Sequence, residues 1–205
     1  MCIHKELRKM NYRMTWTDLL NTGGVVVLIT TAGNLIAKQI ERRTRYKDAV
    51  LKVSDLYDVF NRVIDDSSAN RILIMKGSNG GSRPTIGSNL YVSVLHEAST
   101  KGIEQIKPLY QNIHIDDSYI KLLQKIIEKR EIAIPVSDFP PGSFLRLTYD
   151  KEGLKHAYFF EVRGTGNNYY FGSFSTTNPE GFTDNDRLTF RLSIDRIKKI
   201  FEHEK

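Results

Sequence analysis

His156–Arg163 (HAYFFEVR) and Asn168–Ser175 (NYYFGSFS) are two aromatic-rich apolar runs. Gly164-Thr165-Gly166 separates them. Aromatic and β-branched residues suit a pleated surface, and a short glycine-bearing link joins antiparallel neighbours. The two runs therefore read as paired strands with a hairpin bend, and the rest of the chain is placed around them.

Downstream comes Phe182-Thr183-Asp184-Asn185-Asp186. Thr183 caps a helix whose early Asp186 suits the positive N-terminal end. The periodicity carries that helix to about Phe201, with Leu188, Leu192, Ile194, Ile197, Ile200 and Phe201 as its buried side. Upstream, Arg71–Lys76 (RILIMK) reads as a short buried strand and Asn89–Glu97 (NLYVSVLHE) as an alternating one. The alternation puts Leu90, Val92, Val94 and His96 on one face, with Tyr91, Ser93 and Leu95 on the other. Asp116 or Asp117 caps a helix through Arg130 whose inner side carries Ile120, Leu123, Ile126 and Ile127. Glu131–Val136 (EIAIPV) holds an internal proline and is an edge or irregular strand. Phe139–Gly142 (FPPG) is a turn, and residues 143–151 suit a helical turn or a strand. This order is that of an α+β domain: an antiparallel sheet flanked by its terminal helices.

One pattern is more specific. Gly153-Leu154-Lys155-His156 leads into the first strand of the hairpin, Tyr170-Phe171-Gly172-Ser173-Phe174-Ser175 forms the second, and Phe182-Thr183-Asp184-Asn185-Asp186 precedes the last helix. This succession resembles the second half of a GAF domain, and the resemblance extends over roughly residues 50–203. It implies a GAF-like sheet flanked by helices and a sensory or regulatory module that binds a small molecule or dimerises. Members that carry a bilin use a cysteine in the domain, and the only cysteine here is Cys2. No covalent chromophore and no cysteine-bound metal are therefore expected. The Asn-Lys-Phe-Asp-Glu signature of cyclic-nucleotide-binding members is absent from the sequence.

The N-terminal quarter is different in kind. The net charge is +6 overall, but residues 1–48 hold nine Lys/Arg against four Asp/Glu, a balance of +5. The remainder is nearly neutral, so the charge is not the footprint of a nucleic-acid-binding domain, and no nucleic-acid partner is expected. Leu19–Ala37 (LLNTGGVVVLITTAGNLIA) has no charged side chain over 19 residues. As a helix it spans about 28 Å, near the thickness of a bilayer core. Trp16 precedes it, and Lys38, Arg42, Arg43, Arg45 and Lys47 follow. The expected layout is a basic tail over 1–18, a transmembrane helix over 19–37, a linker helix over 38–52 and the GAF-like domain over 53–205. The chain is then a single-pass membrane protein with its domain on the cytoplasmic side.

Residues 38–66 contain neither proline nor glycine. Tyr46, Val50, Val53, Tyr57, Phe60 and Ile64 recur at spacings of 4, 3, 4, 3 and 4. That heptad-like stripe, with the small-xxx-small pair Gly33 and Ala37, suggests a homodimer through residues 19–64.

Several chemistries fail on spacing. The glycine-rich stretch 76–82 follows a strand but lacks the Gly-Lys-Ser/Thr ending of a P-loop. The five histidines include no i, i+4 pair, so no metal site is expected. There is no Gly-x-Ser-x-Gly elbow, and no catalytic residue or enzymatic activity is expected. The candidate pocket lies between the sheet and residues 103–150. Its candidate lining is Tyr91, Ser93, His96, Phe139, Phe144, Arg146, Tyr149 and Phe159, and Arg83 in the glycine-rich loop is a candidate anion contact. The leading expectation is a membrane-anchored, non-catalytic module that binds a small molecule or a protein. Its rivals are a scaffold used only for dimerisation and protein contacts, and a small enzyme or nucleic-acid-interacting protein.

Overall fold

A computed structural model describes Thr17 and residues 24–79, 89–165 and 168–202. The chain divides into two compact units, Met1–Leu51 and Lys52–Lys205. Helix α1 (Gly24–Asp66) begins in the first unit and ends in the second. No helix among the described residues is long and apolar enough to cross a membrane. Of the expected span 19–37, residues 19–23 lie outside the described residues. The described remainder runs directly into Lys38, Glu41, Arg42 and Arg43 of the same helix, so charge enters any longer window.

The second unit is an α+β fold around one six-stranded sheet. Its strands are β1 (Arg71–Ser78), β2 (Tyr91–Ser99), β3 (Ile113–His114), β4 (Glu131–Pro135), β5 (His156–Thr165) and β6 (Asn168–Thr176). The order across the sheet is β3-β2-β1-β6-β5-β4, and every neighbouring pair is antiparallel. The helices that follow α1 are α2 (Asp117–Lys129), α3 (Phe144–Lys151) and α4 (Asp184–Glu202). β4, the strand that ends in Pro135, is an edge, where a missing N–H costs no ladder bond.

The two faces of the sheet bury different things. On one, the last turns of α1 and the whole of α4 cover Ile72, Ile74, Phe160 and Phe174. Leu56, Val59, Phe60 and Val63 supply the α1 contribution. The expected stripe is core only in this second half: Tyr46, Val50 and Val53 are exposed. On the other face, α2, α3 and residues 106–115 cover Leu73, Met75, Val92, Val94, Phe159 and Phe171.

Two helices turn a different side inward from the one the apolar pattern suggested. In α2 the buried residues are Tyr119, Leu122 and Ile126, while Ile120 and Ile127 are exposed. Asp116 sets that rotation. Its Oδ1 accepts from the Tyr119 N–H at 2.9 Å, and its Oδ2 accepts from the Phe144 N–H at 3.0 Å. In α4 the buried residues are Asp186, Phe190, Ser193, Ile194, Ile197 and Phe201, and Leu188 and Leu192 are exposed. Here the N-terminus is locked by a reciprocal pair: the Thr183 N–H donates to Asp186 Oδ2 at 2.8 Å, and the Asp186 N–H donates to Thr183 Oγ1 at 3.1 Å. The same carboxylate accepts from the Ser68 N–H and hydroxyl, both at 2.9 Å, fixing the chain just after α1. With Asp186 facing inward, positions two residues on fall about 200° away around the helix and point outward.

Candidate ligand site

The face of the sheet under α2 and α3 carries a cluster that the other face lacks. Along β1, Arg71 is in phase with Leu73 and Met75, so its side chain enters this core and is 0% exposed. Along β6, Ser173 and Ser175 are in phase with Phe171 and are likewise fully buried. Register brings them together, because Arg71 pairs with Ser175 and Leu73 pairs with Ser173. The layer above supplies Tyr149 from α3, Tyr119 from α2 and Tyr110 from the segment before β3, all buried. The Arg71 guanidinium lies over the Tyr149 ring, 5.6 Å from its centroid.

This cluster is short of partners. Among the described residues, Arg71 Nε, Nη1 and Nη2 have no hydrogen-bond acceptor, and the Ser173 and Ser175 hydroxyls make no bond of ordinary geometry beyond their approach to the Tyr149 phenol. No ion pair to Arg71 exists among the described residues. The acidic side chain in the neighbouring register position, Glu97 on β2, is already committed. It accepts from the Ile106 N–H at 3.0 Å and from the Lys107 N–H at 2.7 Å. A cation–π contact attracts the guanidinium but uses none of its five N–H donors as hydrogen bonds.

The phenols report the same low-dielectric setting. Burial raises the Tyr149 pKa, against the opposing influence of the Arg71 charge and the nearby Ser175 and Ser173 hydroxyls. Burial also pushes the Tyr119 phenol well up, reinforced by neighbouring Tyr110. Tyr110 rises for the same first reason. All three therefore stand as neutral O–H donors at physiological pH.

The residues expected to line a pocket are distributed unevenly around this cluster. Phe139, Tyr149 and Phe159 meet as one aromatic group, with centroids 6.0–6.4 Å apart. Phe144 packs on Tyr110 at 5.2 Å. Arg146 lies on the outer side of α3, bonded to Asp150 at 2.5 Å and to the Val136 carbonyl at 3.1 Å. Ser93 engages Asn112, whose N–H donates to its Oγ at 2.8 Å. Tyr91 stands edge-on to His114 and lines an apolar cleft of about 410 Å³ with Leu90, Ile120 and Ile127.

His96 is on the opposite face of the sheet, edge-on to Tyr57 of α1 at 6.0 Å. The cause is a bulge. Ile74 and Met75 are consecutive, yet they pair with His96 and Val94, so Leu95 is an extra residue that breaks the alternation. Burial, then the Lys107 charge, lower the His96 pKa. Arg83 lies outside the described residues.

Pattern reading missed Arg71, Ser173, Ser175, Tyr110 and Tyr119. One signal was present: in RILIMK the arginine shares the two-residue phase of Leu73 and Met75, a charged side chain in a core register.

No family model matches the sequence, and no curated protein does. Among solved structures, the chain is similar to the GAF domain/HD domain protein from Geobacter sulfurreducens. That match has a TM-score of 0.51 at 12% identity and covers 73% of this chain and 91% of that one. It is also similar to the GAF domain of a two-component sensor histidine kinase from Bacillus halodurans, with a TM-score of 0.48 at 13% identity, covering 71% of this chain and 92% of that one. At these identities the likeness concerns the backbone arrangement alone. The antiparallel order β3-β2-β1-β6-β5-β4, with α1 and α4 on one face and α2 and α3 on the other, is the fold of a GAF domain.

Proposed function

We propose that residues 52–202 form a non-catalytic sensory or regulatory module that holds a small molecule on the α2/α3 face of its sheet. The observation that carries the reading is the buried Arg71 guanidinium, which has no hydrogen-bond acceptor among the described residues and stands with the buried Ser173 and Ser175 hydroxyls. Buried polar groups in folded proteins are nearly always hydrogen-bonded, and a cluster of exceptions calls for a partner. The GAF fold supports a sensory role for such a face, and the aromatic wall of Phe139, Tyr149 and Phe159 suits an organic ligand. The test is a thermal-stability screen of the full chain against metabolites of varied charge. A saturable rise in melting temperature with any of them supports the reading. No rise with any compound overturns it.

Self-association through α1 is the second part of the proposal. Leu35, Ile36, Ile40, Tyr46, Val50 and Leu51 of the first unit are all exposed, which supports a helix that meets another surface. Sedimentation of the full chain as a monomer across the micromolar range would remove it. Attachment to a membrane through residues 19–37, with the domain on the cytoplasmic side, is proposed on the charge-free run and its basic flanks. Recovery of the full chain in the soluble fraction without detergent would remove that part alone.

A further inference from the structure

Arg71 restricts the chemistry of whatever occupies this face. A guanidinium in low dielectric is strongly unfavourable without a counter-charge, and its protonation cannot be given up to relieve the cost. The compensating group must be an anion. Its valence follows from the inventory: Arg71 is the cation, the buried Glu97 carboxylate is already taken up by the Ile106 and Lys107 N–H groups, and the remaining hydroxyls, from Ser173, Ser175 and the tyrosines, are neutral. A dianion would leave a net negative charge buried, so the site is balanced for a single one. Its shape follows from the fork. Parallel N–H donors match two oxygens in a plane, and the Ser173 and Ser175 hydroxyls supply further donors to those oxygens. Its body follows from the walls, which are Phe139, Phe159, Leu145 and Leu154 rather than polar groups. A large ligand is excluded by burial, since Arg71, the two serines and the four apolar walls are each at most 5% exposed.

We propose that Arg71, Ser173 and Ser175 bind the carboxylate of a small monocarboxylic acid, whose apolar end lies against Phe139 and Phe159. The proposal rests on the ligand-holding reading of this face and gives its ligand class.

The test uses the full chain and four sodium salts at matched ionic strength: acetate, propionate, butyrate and chloride. Sulfate serves as the dianion and a panel of uncharged metabolites as a further control. The expected result is a saturable rise in melting temperature with at least one carboxylate. At a hundredfold excess over its dissociation constant the rise is roughly 5–10 °C. Calorimetric titration then gives one site per chain. Arg71→Met keeps an unbranched apolar stem, removes the guanidinium and weakens that binding by roughly a hundredfold. Ser175→Ala, a smaller change that decides the matter if R71M does not fold, weakens it roughly tenfold. Equal responses to carboxylate and chloride overturn the proposal, as does a larger response to sulfate. A carboxylate that binds R71M or S175A as tightly as the unaltered chain also overturns it. An uncharged metabolite that stabilises the unaltered chain and R71M alike would remove the carboxylate and leave the sensory reading standing. No response to any compound removes both.

Discussion

Gly172 lies on β6 between Ile74 and Phe160, and the Phe160 ring covers it. A Cβ added there would stand 2.7 Å from Phe160 Cε2, 2.8 Å from Cε1 and closer still to Cζ. The ring cannot swing aside cheaply. It stacks on Phe174 at 4.8 Å, and Phe174 stacks on Phe190 of α4 at 4.3 Å. Overpacking of this kind costs about 1–3 kcal/mol. Replacing glycine also narrows the unfolded ensemble, which offsets about 0.4–1 kcal/mol. Gly172→Ala should therefore destabilise by about 1–2 kcal/mol. In a domain of this size that lowers the melting temperature by roughly 3–6 °C. Denaturant titration of G172A, F160L and the double variant isolates the contact. Leucine at 160 removes the ring edge, so alanine at 172 should be neutral or mildly stabilising in that background. The reasoning is refuted if G172A costs the same in both backgrounds within about 0.5 kcal/mol, the usual additivity error of independent sites.

Asp186→Ala removes the acceptor of three hydrogen bonds from Ser68 and Thr183 and should cost roughly 2–4 kcal/mol by chemical denaturation. Burial raises the Asp186 pKa, but the bonds from Ser68 and Thr183 outweigh it and the net value is lowered. A depressed carboxyl stabilises fully above its unfolded pKa of about 3.9 and loses that contribution as pH falls through the folded value. Asp186→Asn should flatten this acid limb of the stability curve, and an unchanged limb would refute the assignment. Five of the ten tyrosines, Tyr110, Tyr119, Tyr149, Tyr158 and Tyr169, have phenols raised first of all by burial, Tyr158 to about 12. The folded chain should therefore develop phenolate absorbance in two stages, and stability should fall as pH climbs above about 10. A single transition equal to that of the unfolded chain would refute it. Asp116→Ala unties α2 from α3 by removing its bonds to Tyr119 and Phe144, with a loss of about 1–2 kcal/mol and faster amide exchange at both helix starts.

The hairpin of β5 and β6, the capped last helix and the edge strand at Pro135 were legible in the sequence, because each rests on a local rule. Glycine at a bend, Thr183 three residues before Asp186, and proline where no ladder bond is needed are such rules. What was not legible depends on distant partners. Isoleucine and leucine positions alone could not fix the rotation of α2 and α4, because tethered carboxylates decide it, Asp116 to Phe144 and Asp186 to Ser68. The bulge at Leu95 moved His96 to the other face, and nothing local in NLYVSVLHE marks it. Of the candidate site, the aromatic half was readable as Phe139, Tyr149 and Phe159. The polar half was not, because Arg71 and Ser175 are 104 positions apart and meet only through the pairing of β1 with β6.

The contrast between the two faces argues that the polar half is not there for stability. The same two central strands build both. On the α1/α4 side they present Ile72, Ile74 and Phe174, and the aromatic stack needs no hydrogen bonds. On the α2/α3 side, one residue out of phase, they present Arg71, Ser173 and Ser175. Apolar residues of similar size at such positions commonly leave stability equal or raise it, because the desolvation of the charge disappears. Arg71→Met should therefore fold at least as stably as the unaltered chain in the absence of ligand, and differ from it only when ligand is added. If R71M instead unfolds several degrees lower in ligand-free buffer, the guanidinium contributes to the core through its contact with Tyr149, the claim that the polar half is not there for stability is refuted, and carboxylate binding by S175A alone decides the site.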